Sequence, residues 1–424
     1  MITQICPKIS NDKWLFVASA IAMLPVFYAA FNNVVTYMTL NFCLLILVSC
    51  FLVRELIIKF LRKQKITLVK NPIFWFFFAF VFWLFLGSFF TSDPQVTWLG
   101  KWEGVHQKES IFQFVAYFLF GVVASKVKKE NKPWLLSLIV WLSCFYIALG
   151  LLNLSNTLGF YEYTLEYSLM FFHPNHSGYI MCLTGAIAAA KVVTSEKPLS
   201  KVLFGLAFFL HVFFLCLNGS MGPIIGFVLA LVFLLVWCLF KNKKAAVVCS
   251  TLLLVFVGTS CVVDFVPAIH KEAREKTPLY AQVAGIAGEV FGFDYKFEDK
   301  KIEGSDGWDR LSMWRDCISD TAENPLFGTG VSTFQTNNPK YGLNNPHNEY
   351  LQIFAAGGIP ALMFYLAGLI CLVVYSLKNK KLSDVGFCSV VGIVSYAVSA
   401  FFGNTIAGIV PIFALVVGLG ASEA

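Results

Sequence analysis

A histidine stands where a long polar segment gives way to an apolar run of roughly 25 residues. Residues 346–352 read Pro-His-Asn-Glu-Tyr-Leu-Gln. An imidazole, whose pKa in water is about 6.5, can accept a proton at neutral pH, and a titratable ring at the mouth of a membrane helix usually has a use. His347 is therefore a candidate general base. The alternative is a histidine that only caps the helix or hydrogen-bonds locally.

A second candidate is a pair of arginines in residues 309–318, which read Asp-Arg-Leu-Ser-Met-Trp-Arg-Asp-Cys-Ile. The spacing predicts an amphipathic helix with an apolar stripe of Leu311, Trp314 and Ile318. Arg310 and Arg315 flank this stripe, and a guanidinium offers a planar fork for phosphate oxygens. The polar side chains expected to point away are Ser312, Asp316 and Asp320. The alternative is that both arginines form surface ion pairs with nearby acids, namely Asp309, Asp316 or Glu323.

Two further polar motifs open apolar runs. Residues 172–178 read Phe-His-Pro-Asn-His-Ser-Gly and add His173, Asn175 and His176, although Asn175 could simply cap a helix. Residues 217–223 contain Ser220 and predict a tight turn whose backbone N–H groups at a helix start could bind an anion. A plain turn explains the same residues.

The composition predicts an integral membrane protein. Hydrophobic residues make up 58%, charged residues 13%, and the mean hydropathy is +0.71, against about 45–50% and about 25% in soluble domains. The apolar run at residues 14–31 is followed at once by another, so we expect an anchor and not a cleaved signal peptide. The net charge of +7 does not indicate nucleic-acid binding, because no basic run carries base-stacking aromatics. No cysteine spacing suggests a metal, and we expect no metal and no cofactor.

We therefore predict an all-α polytopic fold of about twelve spans. Their bounds are roughly 14–31, 34–58, 72–90, 111–125, 133–152, 177–193, 202–218, 222–240, 245–266, 347–377, 385–402 and 405–421. Twelve spans place every Lys/Arg cluster on one face, which puts both termini in the cytoplasm. All the polar motifs above then lie on the opposite face.

The predicted organisation has three parts. Residues 1–266 hold the first nine spans, residues 267–346 form a large external loop, and residues 347–424 hold the last three spans. A translocated loop of roughly 80 residues is too long for a connector, so we expect a small helical subdomain on the outer surface. The site would then face the outside, or periplasm, of a multi-pass protein of the cytoplasmic (inner) membrane.

An ordered combination of motifs resembles a known family. The order is Arg310 to Trp314, then residues 324–330 (Asn-Pro-Leu-Phe-Gly-Thr-Gly), then residues 346–352, then residues 357–360 (Gly-Gly-Ile-Pro). This block is similar to the signature of the O-antigen ligase/polymerase superfamily. That superfamily includes lipopolysaccharide O-antigen ligases, repeat-unit polymerases and bacterial protein O-oligosaccharyltransferases.

The resemblance implies a metal-independent membrane glycosyltransferase of the GT-C type. Its donor would be a glycan on a polyprenyl (undecaprenyl) diphosphate, and its acceptor a hydroxyl of a glycan, a glycolipid or a protein. The family's loop arginine matches Arg310 and its histidine matches His347, which would be the catalytic pair. Residues expected to contact the diphosphate or glycan are Arg315, Asn175, His176, His173, Ser220, Asn348 and Lys101.

One position departs from the resemblance. Many members carry Ser-Arg-Gly where this chain reads Ser220, Met221 and Gly222. The second phosphate-binding arginine of those members is absent. A substitute could be Arg315, Lys101, His173 or His176, or the backbone turn could take over more of the binding. The departure could also mark a branch with a different donor, or an inactive member. Ligase and polymerase share these motifs, so the acceptor stays open. The alternatives from another class are a twelve-helix secondary transporter, which would place broken helices and charges at mid-membrane, or a lipid flippase.

Overall fold

The computed structural model describes Ile57, Leu61 and residues 71–103, 106–151, 174–265, 310–341, 345–378, 384–404 and 409–423. Ten of the predicted apolar runs fall on helices in these ranges. The run at 14–31, and the run at 34–58 except for Ile57, lie outside the described residues. Six described helices are long and apolar enough to cross a membrane, and four more are apolar but shorter. The count of twelve spans stays a prediction.

In the first part of the fold, the described residues form eight helices and a hairpin. In chain order these are α1 (Pro72–Gly87), α2 (Pro94–Leu99), β1 (Lys101–Glu103), β2 (His106–Lys108), α3 (Ile111–Ser125), α4 (Lys132–Leu151), α5 (Pro174–Thr194), α6 (Pro198–Asn218), α7 (Met221–Lys241) and α8 (Lys243–Phe265). The strands pair antiparallel, with Trp102 opposite Gln107. Apart from this small hairpin, the described fold is helical, as predicted.

The second part begins with two helices in the predicted external loop. These are α9 (Arg310–Glu323) and α10 (Phe334–Asn337), followed by a 3-10 turn at Pro339–Tyr341. Three apolar helices follow, namely α11 (Glu349–Lys378), α12 (Asp384–Ser399), which continues as a 3-10 turn at Ala400–Phe402, and α13 (Val410–Ala421).

Local chemistry explains where several helices begin and end. Asn71 accepts a hydrogen bond from the Ile73 amide and precedes a proline at the first position of α1. Ser110 and Gln113 form a capping box at the start of α3. Gly219 ends α6 in the left-handed conformation, with φ of 68°, which a residue without a Cβ adopts at little cost.

The centre of the bundle is formed by α5 and α12. The most apolar window of α5 is 89% buried and that of α12 is 72% buried, whereas the window of α8 is only 33% buried. Large apolar side chains such as Phe240 and Leu254 are exposed on the peripheral helices, as expected for surfaces that face lipid. Helix α11 lies along α1, and α13 lies along α3.

The two ends of the bundle differ in character. Helices α5, α7 and α11 start at the polar motifs and reach lysines in their last turns, at Lys191, Lys241 and Lys378. At the lysine end, Lys132 forms a salt bridge with Glu423, and the Asn71 side chain donates to the Ala421 carbonyl. The start of α1, the start of α4 and the C-terminal end of α13 therefore meet there.

Candidate active site

The polar motifs converge on the end of α12. We call residues 396–402 the junction segment. Tyr179 on α5 donates to the Ser399 carbonyl (3.2 Å), and Tyr350 on α11 donates to the Ala397 carbonyl (2.5 Å). The Trp314 ring on α9 meets Phe401 edge-on, with centroids 5.4 Å apart. Three motifs that are distant in sequence therefore all contact the junction segment.

Helix α7 brings the fourth motif, residues 217–223, against the same junction segment. A Cβ placed on Gly222 would lie 2.7 Å from the Cβ of Phe402, and a Cβ on Gly226 would lie 2.1 Å from Oγ of Ser399. Such distances are below van der Waals contact, so these glycines permit the close approach of α7 to α12. Ser220 is buried at the start of α7, and Met221 packs partly against the core.

The two helix-opening motifs of α5 and α7 touch directly. The Asn218 amide donates to the Ser177 hydroxyl (3.1 Å), and its Oδ1 accepts from the Ser220 amide (3.2 Å). Asn175 and His176 lie half-buried in the first turn of α5. His173, by contrast, lies outside the described residues.

His347 has an unusual backbone. Its φ is 52°, in the left-handed region, which costs a non-glycine residue about 1–3 kcal/mol and persists only where the surroundings enforce it. The preceding carbonyl, of Pro346, accepts from the Trp314 indole at 2.7 Å. The following residue, Asn348, is buried and caps α11 by accepting from the amides of Tyr350 (3.0 Å) and Leu351 (3.2 Å). The imidazole itself is half-buried.

The hydrogen bond from Trp314 orients α9, which we call the arginine helix because it carries Arg310 and Arg315. We call residues 345–348, which precede α11, the histidine loop. Residues four apart lie on the same face of a helix, so Arg310 shares the face of α9 that meets this loop. The Tyr179 hydroxyl on α5 is within electrostatic range of both Arg310 and Glu349. Arg310 and Arg315 are both exposed. Among the described residues, no carboxylate lies within salt-bridge distance of either guanidinium. Asp309, one of the acids considered as a partner, lies outside the described residues.

The predicted apolar stripe of α9 is wrong in part. Ile318 is 49% exposed, while Met313 and Cys317 are buried. The reason is tertiary, because Met313 and Cys317 pack with Phe334 and the Cys317 thiol donates to the Leu351 carbonyl (3.4 Å). This burial raises the pKa of the Cys317 thiol to about 12.

The polar residues predicted to point away from that stripe hold the next segment instead. Tyr341 donates to Asp316 (2.5 Å) and to Ser312 (3.3 Å), and Asn338 donates to Asp320 (2.5 Å). Lys340 forms a salt bridge with Asp316 (2.5 Å). The hydrogen bonds from Lys340 and Tyr341 lower the pKa of the Asp316 carboxyl below its usual value.

The turn at residues 324–330 fits into a break in α11. Gly357 and Gly358 have non-helical backbone angles, with φ of 70° at Gly358. The Ile359 amide donates to the Pro325 carbonyl (2.8 Å), and the Thr329 amide to the Ala355 carbonyl (2.7 Å). A Cβ on Gly358 would lie 2.3 Å from the Pro325 carbonyl oxygen. The turn at residues 324–330 and the break at Gly357 and Gly358 therefore pack directly against each other and are joined by backbone hydrogen bonds.

A tryptophan completes the hydrogen bonding of this break. The Trp83 indole donates to the carbonyls of Leu326 (3.0 Å) and Gly357 (3.1 Å). Its ring stacks on Phe327 with centroids 5.2 Å apart. Backbone carbonyls that lose their helical partner inside a membrane need another hydrogen-bond donor from the protein. At this break, the Trp83 indole is that donor.

Lys101 lies on β1, next to α2. The segment before α2 is tied to the same turn, because Thr91 and Ser92 bond to the Thr329 carbonyl at 3.0 and 3.2 Å. The hairpin therefore follows a segment that is attached to the loop carrying α9.

An apolar cavity of about 70 Å³ lies between α1, α3, α11 and α13. Its polar groups are Tyr117, Glu349 and Tyr365, and its phenylalanines are Phe74, Phe77, Phe80, Phe114, Phe118 and Phe413. Because Glu349 begins α11, the polar part of the cavity lies near the histidine loop. In the ranges that the structure describes, no group of three His, Cys, Asp or Glu side chains could hold a metal ion.

Sequence reasoning missed three residues of this region, namely Glu349, Tyr365 and Tyr396. Glu349 is 2% exposed and receives hydrogen bonds from both tyrosines. A signal was present, because an acidic residue at the start of a membrane helix is costly unless it is partnered. The tyrosines gave no such signal, since aromatic residues are common in membrane helices.

The fold and the convergent motifs define a polytopic helical membrane protein with a histidine and an arginine helix at one end of its bundle. Residues 206–366 match the family model described as O-antigen ligase. This match confirms the resemblance to the O-antigen ligase/polymerase superfamily. No curated protein matches the chain significantly.

Proposed function

We propose that the protein transfers a glycan from a polyprenyl (undecaprenyl) diphosphate carrier to an acceptor hydroxyl, as a surface-polysaccharide ligase or polymerase. The reaction would be metal-independent and inverting. It would take place on the outer face of the cytoplasmic membrane, with residues 267–346 as the external loop and both termini in the cytoplasm. The observation that supports the proposal most is the hydrogen bond from Trp314 to Pro346 (2.7 Å), since it joins the arginine helix to the histidine loop.

In this proposal His347 deprotonates the acceptor hydroxyl or holds it in line. The hydroxyl oxygen attacks the anomeric carbon from the side opposite the diphosphate, and the bond from that carbon to the diphosphate oxygen breaks. The strained backbone of His347, with φ of 52°, supports a defined direction for the ring. Direct displacement inverts the anomeric configuration.

Arg310 stabilises the charge that grows on the leaving diphosphate. Its position on the face of α9 shared with Trp314 supports this role, since a guanidinium can form paired hydrogen bonds to phosphate oxygens. Arg315, one residue beyond Trp314, is the first substitute for the arginine absent at Met221. His176, Asn175, Ser220 and Lys101 would add polar contacts to the diphosphate or glycan, Asn348 would hold the loop, and His173 stays a prediction.

The cavity between α1, α3, α11 and α13 would take part of the prenyl chain. Its phenylalanine lining suits hydrocarbon, and its end at Glu349 lies two residues from His347. A lipid-linked donor needs such an apolar recess beside its reacting end.

The acceptor separates the remaining options. A glycan acceptor would make the protein a polymerase, a glycolipid acceptor a ligase, and a protein acceptor an O-oligosaccharyltransferase. A secondary transporter would use the break in α11 to line a pathway. Here the break is filled by the turn at residues 324–330 and by Trp83, which favours a structural role for it.

The test uses the purified full-length protein in detergent with an undecaprenyl diphosphate-linked oligosaccharide. Candidate acceptors are supplied one at a time, and products are separated and their anomeric configuration is determined by NMR. We expect transfer with inversion in the presence of a chelator. Movement of the lipid-linked glycan across vesicles with no product would support a flippase and refute the proposal.

A further inference from the structure

Glu349 is a buried carboxyl to which the proposed reaction gives no role. It lies two residues after His347, and its side chain is 2% exposed. Tyr365 donates to its Oε1 (2.6 Å), and Tyr396 donates to its Oε2 (2.8 Å). Both carboxyl oxygens therefore have a partner, as the burial of such a group requires.

The two donors belong to different parts of the bundle and are themselves held by packing. Tyr396 is on α12, and its ring stacks on Phe413 of α13 with centroids 4.2 Å apart. Tyr365 is sixteen residues along α11, and its ring meets Phe77 and Phe80 of α1 at 6.1 and 5.3 Å. Glu349 therefore joins the first turn of α11 to three neighbouring helices.

The histidine loop needs such a connection. The left-handed backbone of His347 must be enforced from both sides. On the N-terminal side the Trp314 indole holds Pro346. On the C-terminal side the cap made by Asn348 is local to α11 and moves with it. Glu349 is the first residue after His347 that ties the helix start to the interior of the bundle.

We propose that Glu349 is a positioning residue, whose carboxyl, held by Tyr365 and Tyr396, fixes the first turn of α11 and thereby the direction of the His347 side chain. This inference rests on the proposed function. A carboxyl between two hydroxyl donors has a defined orientation, whereas an apolar side chain of similar size would fill the space without fixing a direction. Tyr117, which lines the same cavity as Glu349, donates to a second buried carboxyl, that of Glu109 (2.9 Å).

The main test is the kinetics of Glu349→Gln in the full-length protein. Glutamine keeps the shape but presents an NH₂ group to one tyrosine. We expect kcat for glycan transfer to fall by between about tenfold and a hundredfold, the size of a small misplacement of a reacting group. We expect the donor KM to change by less than about twofold, because the donor site keeps its contacts. The control is Ser376→Ala, at a buried serine near the other end of α11, which should keep the wild-type kcat.

Tyr365→Phe and Tyr396→Phe test the same point should Glu349→Gln fail to fold. Each removes one hydroxyl and keeps the ring, so each should lower kcat per folded molecule, while the loss of one partner of the buried carboxyl should also cost about 1–3 kcal/mol of stability. Combining Tyr365→Phe with Tyr396→Phe should give a loss different from the sum of the two, because both act through one carboxyl. The inference would be overturned if all three single variants kept the wild-type kcat. It would also be overturned if each decrease in activity were fully explained by a smaller amount of folded protein.

Failure of this inference is distinct from failure of the proposed function. If His347→Ala is inactive while Glu349→Gln turns over at the wild-type rate, only the positioning role is wrong. If the wild-type protein forms no product from any lipid-linked glycan, the proposed function is wrong and the inference falls with it.

Discussion

The indole nitrogen of Trp314 lies 2.7 Å from the carbonyl oxygen of Pro346 and donates a hydrogen bond to it. This contact joins two segments that are 32 residues apart, one carrying Arg310 and the other His347. The same indole ring meets Phe401 of the junction segment at 5.4 Å. Trp314 therefore links the arginine helix, the histidine loop and the end of α12.

We predict that Trp314→Phe lowers the rate of glycan transfer by about tenfold, because a misplaced reacting group costs up to a hundredfold and phenylalanine keeps the packing on Phe401. The measurement is kcat in detergent. The matched control is Trp237→Phe on α7, whose ring packs on Phe387 near the lysine end and whose loss should leave kcat unchanged. Equal rates for both variants and the wild type would show that the indole does not orient the loop.

A second prediction concerns the break in α11. Gly358→Ala should destabilise the protein by more than about 1 kcal/mol, because alanine is strained at φ of 70° and its Cβ would lie 2.3 Å from the Pro325 carbonyl oxygen. Thermal unfolding in detergent is the measurement. Gly205→Ala on α6 is the control, since no heavy atom lies within 4 Å of its Cβ, and it should be neutral or slightly stabilising. An unchanged melting temperature for Gly358→Ala would mean that the turn at residues 324–330 does not fit the break as described.

A third prediction follows from the lowered pKa of Asp316. A carboxyl with a lower pKa in the folded state stabilises the protein above its unfolded pKa, and this stabilisation is lost as the pH falls through the folded pKa. Asp316→Asn should therefore lower the melting temperature slightly at pH 7, and the difference from wild type should shrink below about pH 4. Glu323→Gln, at an exposed acid at the end of the same helix, is the control and should leave the melting temperature at pH 7 close to that of the wild type. A gap that stays constant down to pH 3 would argue against the Asp316 contacts.

A fourth prediction concerns the arginine that is absent at residue 221. Met221 is half-buried at the first position of α7, beside Ser220. We expect Met221→Arg to fold and to lower the donor KM by about tenfold at unchanged kcat, since one added phosphate contact is worth about 1.5–3 kcal/mol at most. Met221→Gln serves as the uncharged control of similar length. A rise in donor KM with Met221→Arg would mean that no phosphate approaches this helix start.

Run length and charge sufficed to predict most of the helices, because the cost of burying polar groups in hydrocarbon acts on each segment separately. The buried side of α9 could not be predicted, since Met313 and Cys317 are buried by Phe334 and by α11, not by a stripe visible in the sequence. The junction segment was missed for a similar reason. Phe401 and Phe402 resemble lipid-facing residues until Trp314 and Gly222 are found against them.

The candidate site was predicted as a set of motifs but not as an arrangement. The spacing of Arg310, Trp314 and His347 carries no information on which face of α9 meets the loop. Glu349 lies inside a motif that the sequence reasoning singled out, yet its partners Tyr365 and Tyr396 are 16 and 47 residues away. Contacts of that range follow from the packing of whole helices.

We propose that His347 and Arg310 act on the same lipid-linked substrate. The most direct measurement is the single-turnover rate of glycan transfer by His347→Ala and Arg310→Ala, in preparations matched for folded protein. Lys197→Ala, at an exposed lysine before α6, is the control. We predict that both variants lose at least about a hundredfold in rate while the control equals the wild type. Transfer at the wild-type rate by either variant would contradict the account.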